Sequence, residues 1–236
     1  MALPQPVILL PPSEAKAPGG EGPVWAAGTM ADVALDRARR EVLRAARTAG
    51  CTPARAPTRP AIERYSGVLY RELAWPTLPP AAHRCGAAQV RIVSGLWGLV
   101  APTDPIPPYR LKMSASLEGL GRLTGWWRPR LAPVMAELTD RRLVWDLLPQ
   151  EHEAAIDWSG CTPARRAIVR FLDAEGRTVS HWNKLLKGSL VRWLLTDQPA
   201  QIEAISRFRH PLGYRFDARA SEVDGAVATL VLRAGP

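Results

Sequence analysis

Apolar residues along this chain fall into short runs and longer amphipathic stretches, separated by turns rich in proline and glycine. Residues 6–10 hold the run Val7-Ile8-Leu9-Leu10, which has strand length and no polar face and so predicts a buried strand. Residues 30–49 set Val33, Leu35, Val42 and Leu43 among alanines and arginines, the pattern of an amphipathic helix, and Gly50 ends it. Thr52-Pro53 has the chemistry to cap and open a short second helix. After a break at residues 57–60, residues 61–73 read as a helix with Ile62, Tyr65, Leu69 and Leu73 on one side. Gln89-Val90-Arg91-Ile92-Val93 alternates polar and apolar and predicts a half-buried strand.

Further along, residues 122–138 read as a helix despite Pro129 and Pro133, with Trp126-Trp127 packing it onto the core. Residues 142–147 and 165–172 read as strands, Glu175-Gly176 as a turn and residues 181–195 as a second strong helix. Residues 214–217 and 226–233 predict a closing hairpin. Strands and helices mix without regular alternation, and no low-complexity linker cuts the chain. The expectation is a mixed α/β (α+β) fold, with residues 1–236 forming one compact domain around a central mixed sheet.

The formal net charge of +9 comes mostly from arginine, whose planar fork suits phosphates and carboxylates, so an anionic partner is expected. No apolar run reaches the roughly 20 residues of a membrane span, and the first apolar block is too short for a secretory leader, so the sequence predicts a soluble cytoplasmic protein without a membrane partner. Cys51, Cys85 and Cys161 lack close pairing, which argues against a disulfide scaffold or a zinc site. His83, His152, His181 and His210 are scattered, so no metal site is predicted, and no Walker loop, Rossmann glycine pattern or Gly-x-Ser-x-Gly elbow calls for a cofactor.

Three regions carry candidate chemistry. Ser13, Glu14 and Lys16 follow the first strand, where ligands of open α/β sheets bind; Glu14 is either a general base or a partner of Lys16. The segment from Ser94 through four prolines to Leu111 is a stiff loop leaving a strand, and it presents Ser94, Asp104, Tyr109 and Arg110. On the helix over residues 181–195, Lys184, Lys187, Gly188 and Arg192 share one arc. A glycine there costs on the order of 1 kcal/mol. Either something approaches the backbone closely, a phosphate or another chain, or the arc is a solvated basic face with an incidental glycine. Lys16 or Lys184 suits phosphate binding or Schiff-base chemistry.

Five ordered motifs resemble the YaaA family of peroxide-stress proteins: residues 8–16 (ILLPPSEAK), 65–70 (YSGVLY), 94–98 (SGLWG), 107–111 (PPYRL) and His181-x-Asn183-Lys184-x-x-Lys187-Gly188. The resemblance implies a compact mixed α/β fold with a basic cleft where these motifs converge. It also implies DNA binding through a helix-hairpin-helix-like element between the first helix and Tyr65, where this chain has a short, proline-rich stretch, residues 51–60. Where the family carries Asp-Leu-Arg-Ser or Asn-Leu-Ala-Ser, this chain has Asp146-Leu147-Leu148-Pro149, which marks a divergent member.

Two functions are therefore expected. One is a stress protein binding DNA or a nucleotide-like anion. The other is an enzyme acting on a nucleobase, nucleotide or related small anion. In the second, Lys16 or Lys184 is nucleophile or acid and Glu14 or Asp104 the base, with Tyr109 beside them. Ser13, Tyr65, Ser94, Arg110, His181, Asn183, Lys187 and Arg192 are the candidate ligand-binding residues. The oligomeric state is not readable from the sequence.

Overall fold

Val7–Leu10 (β1) is buried along its whole length, as an apolar run without a polar face requires. In the computed structural model of the chain, which describes residues 4–52, 55–178 and 182–235, this strand lies near the middle of an eight-stranded sheet. The other strands are Val90–Ser94 (β2), Gly98–Val100 (β3), Leu143–Asp146 (β4), Arg165–Leu172 (β5), Tyr214–Phe216 (β6), Glu222–Asp224 (β7) and Val227–Ala234 (β8). Their spatial order is β6-β8-β5-β4-β1-β2-β3, with β7 also paired to β8. Neighbours from β8 to β2 are parallel, while β3, β6 and β7 add antiparallel pairing at the edges. Ile8 stands opposite Val90 on one side and Trp145 on the other. The mixed sheet and the single compact domain expected from the sequence are both present, and the predicted closing hairpin is the β6–β8 pair.

Seven α-helices accompany the sheet among the described residues: Asp36–Thr48 (α1), Ala61–Arg64 (α2), Val68–Leu73 (α3), Pro80–Gln89 (α4), Leu123–Thr139 (α5), Gln150–Glu153 (α6) and Asn183–Asp197 (α7). The helix expected over residues 61–73 is interrupted. Tyr65 adopts an extended backbone and pairs with Lys16, Ser66 donates to the Ala15 carbonyl at 3.1 Å, and the Ala17 amide donates to Arg64 O at 2.8 Å. The chain following β1 therefore competes with the helix for its own hydrogen bonds and wins locally. Ile62, Tyr65, Leu69 and Leu73 all remain buried, so their shared side survives the break.

Helix α4 was not expected: its buried residues are Ala82, Gly86 and Gln89, too small or polar to form an apolar stripe. The helix-starting role of Thr52-Pro53 falls partly outside the described residues, and among those described between α1 and α2 there is no helix. No helix among the described residues is long and apolar enough to cross a membrane.

The topology positions the site. From β1 the chain travels to β2 on one side, then crosses over β1 to reach β4 and continues outward to β5. Loops leaving the adjacent, parallel ends of β1 and β4 therefore diverge, and a crevice opens between them.

Candidate active site

A cleft of about 940 Å³ occupies that crevice. Its walls are the loop after β1 (residues 11–16), the start of α3, residues 109–112, the turn from β4 into α6, and the first turns of α7. Six cationic side chains line it (Lys16, Arg71, Arg110, Lys112, Lys184 and Lys187) against two carboxylates, Glu14 and Glu151. Cationic side chains therefore outnumber carboxylates along its lining.

Lys16 is the best-placed cation. Its ammonium donates to the Ser13 carbonyl at 2.8 Å and the Glu14 carbonyl at 3.4 Å. It lies 4.0 Å from the centroid of the Tyr109 ring and 5.7 Å from that of Tyr65. Burial lowers its pKa from 10.5 to about 8; the Glu14 charge opposes this shift and Arg110 adds to it. Beneath the amine, Tyr109 OH shares hydrogen bonds with Tyr65 OH at 2.7 Å and Ser94 Oγ at 2.8 Å. Burial pushes the Tyr109 phenol up to about 12 and Tyr65 well above its ordinary value, so both stay protonated. Tyr109 faces the cleft, while Tyr65 and Ser94 act from behind it.

Lys187 is the second fixed cation. It reaches from α7 to the Leu147 carbonyl at 2.7 Å, and burial lowers its pKa from 10.5 to about 8 against the raising effect of Asp146. Asp146 is held by Arg166, which donates Nε at 2.9 Å and Nη2 at 2.6 Å to one carboxylate oxygen. The same guanidinium stacks 3.8 Å from the Trp158 ring centroid and pairs with Glu153. This network braces the end of β4 from behind.

The structure brings Ser13, Glu14, Lys16, Tyr109, Arg110, Asn183, Lys184 and Lys187 together at the cleft. Glu14 does not pair with Lys16 through its carboxylate, which meets Lys112 at 3.1 Å on the exposed rim. His181 lies outside the described residues.

Two expected residues lie elsewhere. Asp104 turns inward and accepts the amides of Ala31, in the loop before α1, and Ala101, at the start of the proline-rich turn, both at 2.8 Å, supplying partners that neither irregular segment has in a sheet or helix. Arg192 caps the end of α3, donating to Leu73 O at 3.0 Å, Ala74 O at 3.3 Å and Thr77 Oγ1 at 3.0 Å. The close approach inferred at Gly188 is real, but the neighbour is this chain's own α3. A Cβ there would collide with Leu69 O and come within 2.7 Å of Glu72 Cβ.

Other motif glycines serve similar approaches. A Cβ on Gly67 would collide with Ser13 Oγ, and one on Gly98 would come within 2.6 Å of Trp127. Part of the arginine excess is likewise internal: Arg39 and Arg64 are fully buried and donate to main-chain carbonyls. Arg71, Lys112, Glu151 and His152 line the cleft without having been anticipated. For Glu151 and His152 the available signal was their place just beyond a parallel strand.

The sequence profile of the family described as "Peroxide stress protein YaaA" matches residues 26–220. The chain belongs to the YaaA peroxide-stress family. Among its relatives, a UPF0246 protein of Streptomyces coelicolor is 37% identical, covering 93% of this chain and 95% of its own length. A UPF0246 protein of Corynebacterium efficiens is 33% identical over 80% of this chain and 85% of the relative. One from Lactiplantibacillus plantarum is 32% identical over 69% and 66%. In this YaaA-family chain Pro149 stands at the N-cap of α6 and offers no side-chain hydrogen bond there. The residue lines the cleft and supplies no hydroxyl to it.

Proposed function

We propose that the cleft binds a small, nucleotide-like anion. The observation that carries this reading is the anchoring of Lys16 and Lys187, each by a main-chain carbonyl at 2.7–2.8 Å. An ammonium has three donors: Lys16 commits two of them to the Ser13 and Glu14 carbonyls and Lys187 one to Leu147, so each keeps at least one N–H for a ligand while its position is set in advance. A deep crevice between diverging loops also suits a ligand that enters it better than a duplex lying across the surface.

Titration with inorganic phosphate and 5′-nucleotides, followed calorimetrically, tests the proposal. Binding should weaken about tenfold, or ~1.4 kcal/mol, in Lys16→Ala and again in Lys187→Ala. Full-strength binding in both variants would remove the cleft from the function, and duplex DNA competing equally well with mononucleotides would favour a polyanion surface.

A second, enzymatic reading draws on Lys16 specifically. An amine with a pKa of about 8 is partly neutral near physiological pH, which suits a nucleophile or an acid–base group. Glu14, exposed at the rim beside Lys112, is then the nearby carboxylate base.

A further inference from the structure

The chain holds 27 arginines and four lysines, and all four lysines, Lys16, Lys112, Lys184 and Lys187, line the cleft. Among the described residues, Arg71 and Arg110 are the arginines that join them. Elsewhere the chain meets its need for fixed positive charge with arginine, as in Arg39 on Asp36, Arg166 on Asp146 and Arg233 on Asp217. A cleft that had only to attract an anion would be served as well by arginine, whose fork matches a phosphate. Lysine differs in one chemical respect: its amine can lose a proton and then offers a lone pair to an electrophile. The placement of every lysine at this one cleft therefore points to amine chemistry.

Geometry singles out Lys16 among the four. Lys112 spends its charge on the Glu14 carboxylate at the exposed rim, and Lys184 is exposed. Lys187 donates to one carbonyl, and the charge of Asp146 favours its ammonium form. Lys16 has a second cation, Arg110, beside it instead, which with burial favours the neutral amine over the pull of Glu14. A neutral amine has two N–H groups and one lone pair. The Ser13 and Glu14 carbonyls, at 2.8 and 3.4 Å, accept the two N–H groups and leave the lone pair free. The electron-rich face of the Tyr109 ring, 4.0 Å away at its centroid, turns that lone pair away from the ring. Lys16 is only half-buried, so a ligand in the cleft reaches it.

We propose that Lys16 forms an imine with the carbonyl carbon of a small phosphorylated aldehyde or ketone, whose phosphate is held by the other cations of the cleft. This rests on the reading of the cleft as a small-anion site and names the reactive half of its ligand. The step forms a C=N bond and breaks the C=O bond. The ammonium gives up two of its three protons, which leave with the carbonyl oxygen as water. The product is a protonated imine of unchanged net charge, and nothing is oxidised or reduced. Such an iminium draws electrons from the adjacent carbon, so the reaction class it serves makes or breaks a bond there.

The test incubates the full-length chain with glyceraldehyde 3-phosphate at neutral pH and cyanoborohydride, which reduces an imine to a stable secondary amine. Mass spectrometry of proteolytic peptides then maps the adducts. Lys16 should be labelled about tenfold faster than Lys112, Lys184 or Lys187, and inorganic phosphate should slow its labelling. Glyceraldehyde without the phosphate should label Lys16 about tenfold more slowly. Lys16→Arg keeps the charge, so it should still bind inorganic phosphate by calorimetry while losing the fast adduct. Where that variant does not fold, the adduct map of the unaltered chain decides. Even labelling of the four lysines, or fastest labelling at Lys187, with phosphate binding intact, would overturn the imine and leave the anion site standing. Equal labelling of Lys16 by both aldehydes, unprotected by phosphate, would overturn the anion reading and the phosphorylated ligand with it.

Discussion

The Lys16 ammonium sits 4.0 Å from the centroid of the Tyr109 ring, and the hydroxyl of that ring is tied to Ser94 and Tyr65 below. The ring therefore supports the cation from beneath while being held in place by groups the ligand never meets. In Tyr109→Phe the ring remains and the hydroxyl chain is lost, so stability should fall by about 1–3 kcal/mol with little change in anion affinity. Tyr109→Leu should lose both. Chemical denaturation and titration calorimetry on the two variants separate the effects; equal affinity loss in both would show that the ring face contributes nothing.

The two anchored lysines give opposite pH trends for binding and for stability. Both have pKa values near 8 in the folded protein against 10.5 as the ordinary value. Below pH 8 both are charged in folded and unfolded chains alike, so the cost of burying the charge is fully present. Between pH 8 and 10.5 the unfolded chain holds more protons, so unliganded stability should rise with pH. Anion affinity should fall over the same window, by about tenfold from pH 7 to pH 9. Thermal melts and calorimetry at pH 7, 8 and 9 read both trends.

Helix α7 packs on α3 through Gly188. Alanine there gains about 1 kcal/mol of helix propensity. It also forces a methyl into the Leu69 carbonyl, a packing strain of about 1–3 kcal/mol. We expect Gly188→Ala to be destabilised overall, as seen by urea denaturation, and a stabilised variant would show that the two helices separate easily.

Arg192 and Lys187 lie on the same arc of α7 yet do different work. Arg192→Met should cost about 1–2 kcal/mol by uncapping α3, while leaving phosphate affinity unchanged. Lys187→Met should reverse the pattern, weakening phosphate binding and raising unliganded stability, because a buried charge is replaced by an apolar chain of similar length. The four measurements form a cross-check, since a purely structural role for both would move stability alone.

Asp146 lies behind the cleft, and among the described residues its partner Arg166 has only Glu153 as a second acid. Asp146→Ala leaves a buried guanidinium half-paired and should cost about 3 kcal/mol or more by denaturation. The bend of β4 into α6 should loosen with it, which amide hydrogen exchange at residues 147–153 would register.

Several of these elements could be read without coordinates. Strands β1 and β4 are apolar runs because parallel strands bury both faces, and that composition is a local property, whereas β5 carries Arg165, Arg166 and Arg170 and is legible by its Ile168, Val169 and Phe171 instead. Helix α1 carries its buried Val42 and Leu43 on one side, again a local pattern. Helix α4 escaped because it packs small residues, with Gly86 set against Trp75, and small residues leave no periodic signal.

The sequence by itself determined the strand order of chemistry: a lysine just beyond the first strand, a tyrosine–arginine pair after a stiff proline turn, and lysines on a late helix. Convergence of Lys16, Tyr109 and Lys184 on one crevice was also in reach, because a strand end and a motif order point there. What only the tertiary structure decided was the division of labour among similar residues. Arg192 and Lys187 differ by little more than one helical turn, yet one meets a helix end and the other a cleft. Asp104 and Glu14 are both loop carboxylates, yet one satisfies buried amides and the other faces solvent. Each outcome depends on which distant backbone lies within about 3 Å, and that distance is set by how separate segments pack, a quantity no local pattern encodes.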